Sequence, residues 1–223
     1  MINRYSRILE LNDINETDLS SLKKKSVLLI GVGGVGEHVA TYLLTNGVIN
    51  LTIVDYDKVE ISNLNRQILL TEKDIGRCKV DVVKEALLFR NSEANITSLN
   101  LKIDKDNISS IINNYDLVID AVDNWKTKLI ISKETNLKNI PFLHIGVDGY
   151  KGQYCLFKNK SLSDIVSKDI VSSPKDGVLG PMVGLISSYA SILAIHYLLK
   201  KNVETDTLFH FDYFLTRLTK IKL

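Results

Sequence analysis

Between Val27 and Gln67 the chain lines up residues suited to holding a nucleotide. Gly31-Val32-Gly33-Gly34-Val35-Gly36 follows the apolar run Val27-Leu28-Leu29-Ile30. Glycines at a strand-to-helix turn permit a tight bend and let backbone amides approach a phosphate at the positive end of a helix. A second apolar run, Leu51-Thr52-Ile53-Val54, closes on Asp55. That carboxylate stands about 20 residues beyond the glycines, where such a group accepts hydrogen bonds from ribose hydroxyls. A glycine loop with these neighbours fits a dinucleotide or ATP.

The polar residues that follow bear on the choice. A dinucleotide needs a largely apolar second half-site, whereas a triphosphate about to lose pyrophosphate needs cations and a metal, because charge builds on the leaving group. Arg66 and Lys79 are candidates to neutralise phosphates, and a guanidinium grips two oxygens at once. Asn63 can orient a phosphate or stabilise a transition state. Asp123 falls just past the apolar run Leu117–Ala121, at the strand end where open α/β sheets bind ligands, and a carboxylate there can hold magnesium. Each has a plainer role: Lys79 as a lysine in the first turn of a helix, Asp123 and Asn124 as caps of the next helix. Taken as a set, they favour ATP.

The elements that must position these residues read as alternating short strands and longer helices, the pattern of βαβ units. Strands are predicted at Val27–Gly31, Leu51–Asp55, Ile96–Leu101, Leu117–Ala121, Phe142–Val147 and Gly152–Lys158. Helices are predicted near Val35–Asn46, Lys79–Arg90, Ile108–Asn113, Lys126–Lys138 and Met182–Lys200. Gly47 is placed to end the first of these, and Pro141 opens a strand, where its missing donor does least harm. The polar stretch Asn159–Gly177 is expected to be a mobile loop with no regular element. Thr207–Asp212 and Phe214–Lys222 read as a hairpin that extends the sheet. The predicted fold is a Rossmann-like α/β domain spanning residues 1–223, with a mainly parallel sheet, helices on both faces and an antiparallel C-terminal extension.

Whole-chain properties narrow the classes further. The 223 residues, 45% hydrophobic and 24% charged, suit a soluble globular protein of one domain. A net charge of +2 gives no general case for nucleic acid or membrane partners, and Lys23-Lys24-Lys25 reads as a solvated face. Cys78 and Cys155 stand far apart, which suits a reducing compartment and excludes a four-cysteine zinc site within the chain. No signal-peptide pattern opens the sequence, so a cytoplasmic location is expected. Val178–Leu199 contains no Asp, Glu, Lys or Arg and is long enough to cross a bilayer. With strand patterns on both sides, it reads better as a buried core or interface helix. Cys155 reads as a core residue, Cys78 as a passive thiol and Trp125 as packing. His144 is either a hydrogen-bonded core histidine or a substrate contact.

The chain resembles the E1-like adenylyltransferases, the ThiF/MoeB/HesA superfamily that includes the ubiquitin-activating enzymes. Matching segments are Arg4–Arg7, Gly31–Gly36, Val54–Asp57, Ser62-Asn63-Leu64-Asn65-Arg66-Gln67, Ile75–Lys79, Asp120–Asn124 and Gly177–Pro181. They occur in family order over nearly the whole chain. The resemblance implies that Gly31, Gly33, Gly34, Gly36, Asp55, Asp57, Ser62, Gln67 and Asn124 surround ATP. It places Asp55 on the ribose, Asn63, Arg66 and Lys79 on the phosphates, and Asp123 on Mg2+. Arg7 would reach the ATP of a second subunit in a homodimer.

The implied reaction joins a substrate carboxylate to AMP and releases pyrophosphate. The carboxylate is most often the C-terminus of a ubiquitin-like sulfur-carrier protein. A small-molecule or peptide carboxylate is the alternative, as in assembly of the iron-guanylylpyridinol cofactor or of nucleotide-peptide antibiotics. The paired Cys-x-x-Cys motifs that bind zinc in many relatives are absent from the sequence, so zinc is not expected. No cysteine lies between Asn159 and Gly177, so thioester formation is not expected either. Two readings from other classes are an NAD-dependent oxidoreductase, which leaves Asn63, Arg66, Lys79 and Asp123 without a role, and a non-catalytic E1-like subunit.

Overall fold

The apolar runs are buried on both faces, as a parallel sheet covered by helices requires. In the computed structural model, which describes residues 4–166 and 177–223, Val27 and Leu29 join one hydrophobic cluster and Leu28 and Ile30 the other. The parallel strands are β1 (Ser26–Ile30), β2 (Asn50–Asp55), β3 (Asn95–Asn100), β4 (Leu117–Asp120) and β5 (Phe142–Asp148). β6 (Lys151–Phe157), β7 (Thr207–Asp212) and β8 (Arg217–Lys222) continue the sheet in antiparallel fashion. The order is β3-β2-β1-β4-β5-β6-β7-β8. The connection out of β1 runs to β2 on one side, and the chain later returns to β4 on the other. The carboxyl ends of β1 and β4 therefore form a topological switch point, the place where open α/β sheets bind ligands.

The helices divide between the faces. On one side lie α3 (Gly34–Thr45), α4 (Lys79–Arg90) and α7 (Gly180–Leu198); α5 (Ile108–Ile111) and α6 (Trp125–Leu137) cover the other. α7 buries Met182, Val183, Ile186, Ala190 and Ala194 against α3, β5 and β6, and leaves Ile192 and Tyr189 exposed. The missing side chain of Gly152 on β6 lets α7 approach: a Cβ there would fall 2.2 Å from Ile186 Cγ1. The apolar composition that suggested a membrane span thus supplies one face of the core.

Several boundaries differ from the sequence reading. α1 (Ser6–Leu9) and α2 (Glu16–Leu22) precede the first strand. They are short and bury few apolar residues, so periodicity does not reveal them. α2 is set by a capping box in which Asn15 accepts from Thr17 and Asp18 backbone N–H groups and Asp18 accepts from Asn15 N–H. β8 begins at Arg217 rather than Phe214. Residues 213–216 form the turn, with Asp212 accepting from Phe214 N–H at 3.0 Å and Phe214 packing 4.8 Å from Tyr150.

The stretch after β6 is also more ordered than its composition suggests. Asp206 accepts from the backbone N–H groups of Lys158, Asn159 and Lys160. Leu162–Asp164 forms a 3-10 turn with Leu162 fully buried. The remainder of the loop expected at Asn159–Gly177, residues 167–176, lies outside the described residues.

Candidate nucleotide-binding site

The glycine loop bends because two of its members have no room for a side chain. Gly31 has φ +90°, and a Cβ there would meet Ala121 O at 2.7 Å; a Cβ on Gly36 would meet Gly31 O at 1.9 Å. The first turn of α3 is thereby drawn against the ends of β1 and β4. Gly33 is the N-cap of α3, and the nearest atom to a Cβ there is Gln67 Nε2 at 3.7 Å. The backbone at this helix start is thus open on the side a phosphate would take.

Asp55 ends β2 beside this loop. Its Oδ2 accepts from Val32 N–H at 2.8 Å and its Oδ1 from Asp57 N–H at 2.9 Å. It fixes both the loop and the following turn, and its further lone pairs can still accept from a hydroxyl. Asp57 is exposed and pairs at 3.0 Å with Lys79, whose side chain is only 7% exposed at the start of α4. Lys79 is therefore not an ordinary solvated lysine.

The segment 61–67 closes over the loop. Arg66 lies against Gly34, its Cγ 3.3 Å from the Cβ position there, and its Nη1 donates to Ser62 O and Asn65 Oδ1. Buried Asn63 accepts from Glu60 N–H, fixing a 3-10 turn. Gln67 is 2% exposed, beneath Gly33, and its Oε1 has no hydrogen-bond partner among the described residues. Ser62 is exposed and donates to Glu60. Gly180, at the start of α7, sits so close to this segment that a Cβ would meet Asn65 O at 2.6 Å. The loop, Asp55, Asp57, Lys79, Asn63, Arg66 and Gln67 thus form one continuous structure.

The other candidates are placed differently. Asp123 is exposed in the loop after β4, two residues beyond Ala121, which abuts Gly31. Asn124 is the N-cap of α6 and accepts from Thr127 N–H at 2.9 Å, so the capping role applies to it. Arg7 stands on α1, 88% exposed and paired with Glu10 at 2.9 Å.

Two groups escaped the sequence reading. Asp120, at the end of β4, is fully buried and accepts from Lys128 Nζ at 2.9 Å, His144 Nδ1 at 2.9 Å and Val122 N–H at 3.1 Å. Lys128 also donates to Ile145 O at 2.8 Å. With Nδ1–H committed to Asp120, His144 Nε2 accepts from Gln153 Nε2 at 3.2 Å. Burial pushes the Asp120 carboxyl up, but Lys128 and His144 outweigh it and hold it below the usual range. Burial, then Lys128, push His144 down, so it is the neutral, hydrogen-bonded core histidine of the two alternatives. This network underlies the loop that carries Asp123.

The second group is Glu37 in the first turn of α3, fully buried, which accepts from the backbone N–H groups of Ile68 and Leu69. Burial pushes its carboxyl up to about 8. The sequence signal for Glu37 is a charged residue among apolar ones in a helix, and for Asp120 a carboxylate that closes an apolar strand. Cys155 is a core residue with its thiol pushed up to about 12 by burial. Half-buried Cys78 lies 3.2 Å from Asn100 Nδ2, and Trp125 packs in the second cluster, 5.8 Å from His144.

Residues 5–223 match the model of the ThiF family. The chain belongs to the ThiF family. A molybdopterin-synthase adenylyltransferase of Haemophilus influenzae is 31% identical, over 99% of this chain and 94% of that protein. A probable molybdopterin-synthase adenylyltransferase of Gracilaria tenuistipitata var. liui is 34% identical over 88% of this chain, which spans only 57% of the relative. A crystal structure of E. coli MccB with ATP superposes with a TM-score of 0.89 at 22% identity, covering 99% of this chain and 71% of that one. The fold of this ThiF-family chain is thus the Rossmann-like arrangement shared with MccB. Both of these curated relatives are named as adenylyltransferases.

Proposed function

We propose that this enzyme activates a carboxylate by attack of the carboxylate oxygen on the α-phosphorus of ATP, with pyrophosphate as the leaving group. The single observation that carries the reading is the continuity of the glycine loop with Lys79 and Arg66 at the switch point between β1 and β4. An attacking carboxylate is already ionised, so no side-chain base is required. The demand is for neutralisation of the phosphates, which Arg66, Lys79 and the backbone amides of the loop would supply. In this reading Asp55 holds the ribose, Asn63, Arg66 and Lys79 contact the phosphates, and Gln67 supports the loop from beneath. Asp123, exposed in the loop after β4, would hold a magnesium ion, which would neutralise charge on the departing pyrophosphate.

The substrate proposed is the C-terminus of a small sulfur-carrier protein. The molybdopterin-synthase adenylyltransferase from Haemophilus influenzae, matched over 94% of its length, supports that choice. A homodimer in which Arg7 serves the neighbouring subunit accords with that arginine's exposed position on α1.

The test is ATP–pyrophosphate exchange with candidate carriers ending in Gly-Gly, and with small-molecule and peptide carboxylates in parallel. Carrier-dependent exchange that is lost in Asp123→Ala is expected. Exchange only with small carboxylates would transfer the substrate assignment to them. Mixed Arg7→Ala and Asp123→Ala subunits, pairing at random, are expected to recover roughly a quarter of the sites. No recovery above either variant alone would refute the shared site.

A further inference from the structure

Glu37 is joined to the nucleotide region from two directions. Through its backbone it belongs to the first turn of α3, directly after Gly36. Through its carboxyl group it holds Ile68 and Leu69 N–H, the two residues that follow Arg66-Gln67. No part of the side chain is exposed. A helix start needs no buried acid, and an acid there competes with a bound phosphate for the same positive helix end. The charged groups around it are few. His38 Nδ1 on α3 lies 3.9 Å from Glu37 Oε1 and donates to Gly34 O at 2.6 Å. Lys79 faces it from α4. α7, packed against α3, and β1 beneath it contribute no Asp, Glu, Lys or Arg.

We propose that Glu37 is a positioning residue that locks the phosphate-gripping Arg66-Gln67 segment to the glycine loop and takes up a proton when a polyphosphate docks at the start of α3. This rests on the assignment of the loop to ATP. The physical sequence is short. Burial holds the carboxyl near pH 8 in the protein without nucleotide. Phosphate charge arriving at the same helix end disfavours the carboxylate further, so the complex carries Glu37 neutral. A neutral carboxyl keeps its carbonyl oxygen as an acceptor, so one of the two clamping bonds, to Ile68 N–H at Oε1 or to Leu69 N–H at Oε2, survives protonation. Because the nucleotide complex prefers the protonated group, affinity is flat below the pH at which Glu37 ionises and falls as pH rises beyond it.

The experiment is calorimetric titration of the full chain with AMPPCP and Mg2+ from pH 7 to 9, in buffers of different ionisation heat. For the wild-type protein, Kd is expected to weaken by about three- to tenfold over that range, with a fraction of a proton taken up near pH 8. Glu37→Gln, which keeps one acceptor and cannot ionise, is expected to bind within about twofold of wild type at pH 7 and to show no added pH dependence. Glu37→Leu, with no acceptor, is expected to bind at least about tenfold more weakly at every pH. Superimposable wild-type and Glu37→Gln profiles, or an unchanged Glu37→Leu affinity, would overturn the proposal. If either variant fails to fold, the wild-type proton count decides: uptake at pH 8 supports the proposal and none overturns it. A wild-type protein that does not bind AMPPCP removes both the ATP reading and this inference. Binding with wild-type behaviour in Glu37→Gln removes the inference alone.

Discussion

Replacing Lys128 by methionine removes one ammonium group from beneath the sheet at little cost in helix propensity. The side chain is 6% exposed, and its amine spans Asp120 Oδ2 and Ile145 O at 2.9 and 2.8 Å. Asp120 would stay fully buried with His144 Nδ1 and Val122 N–H as donors. Removing one partner of a buried ion pair typically costs about 3–5 kcal/mol, and the two donors left to Asp120 argue for about 3 kcal/mol. In a chain of this length each kcal/mol moves Tm by about 2–4 °C, so a fall of about 6–12 °C is expected at pH 7.5.

The pH dependence checks the account. Burial and then Lys128 depress His144; without Lys128, Asp120 favours the imidazolium. The variant's His144 therefore takes up a proton at higher pH than in wild type and restores the missing charge. A group whose folded pKa is raised adds stability at low pH, so the deficit relative to wild type should shrink below about pH 6.5. Thermal melts at pH 7.5 and 5.5 decide the matter. A loss under about 3 °C at pH 7.5 would refute the ion-pair contribution, and an equal or larger loss at pH 5.5 would refute the exchange with His144. Adding Asp120→Asn should cost less than the sum of the two single changes, because the pair then leaves together.

Gly36→Ala is expected to weaken AMPPCP binding by at least about tenfold and to lower Tm, since overpacking of this kind costs about 1–3 kcal/mol and its Cβ would meet Gly31 O at 1.9 Å. Gly33→Ala, whose Cβ would be 3.7 Å from its nearest neighbour, should lose no more than about 1 kcal/mol; equal effects in melts and binding would refute the loop geometry. Asn124→Ala should cost about 1 kcal/mol as a lost helix cap, with pyrophosphate exchange within about threefold of wild type. A larger loss of exchange at unchanged Tm would move Asn124 from the cap to the nucleotide.

The local parts of this molecule were readable from residue order. Val27–Ile30 running into Gly31–Gly36 specifies a strand, a turn and a helix start, because apolar periodicity and the need for missing Cβ atoms are properties of neighbours in sequence. The β1–β5 register follows the same runs to within a residue or so at each end. The family match arose from motifs of this kind, each contained within a few residues. Where little apolar surface marked an element, as in α1 and α2, the pattern gave no warning. Phe214–Thr216 look like the start of a strand because Phe214 and Leu215 are strand formers, whereas they belong to a turn packed against Tyr150.

What tertiary structure alone decided is the company each charged residue keeps. Glu37 reads as an ordinary acid in a first helical turn until the chain brings Ile68 and Leu69, some thirty residues on, against it. Asp120, Lys128, His144 and Gln153 come from β4, α6, β5 and β6, and no spacing rule joins them. Lys79 has two readings in the sequence, a phosphate contact or a plain first-turn lysine, and in the fold it is buried against Asp57. The physical reason is common to all three. Propensity and periodicity act over a few residues, but the free energy of a buried charge depends on which long-range partners reach it once water has been excluded. Neighbouring residues specify a glycine loop on a parallel sheet and the class of chemistry beside it. The packed structure determined which carboxyls and amines surround that loop, and in what state of charge.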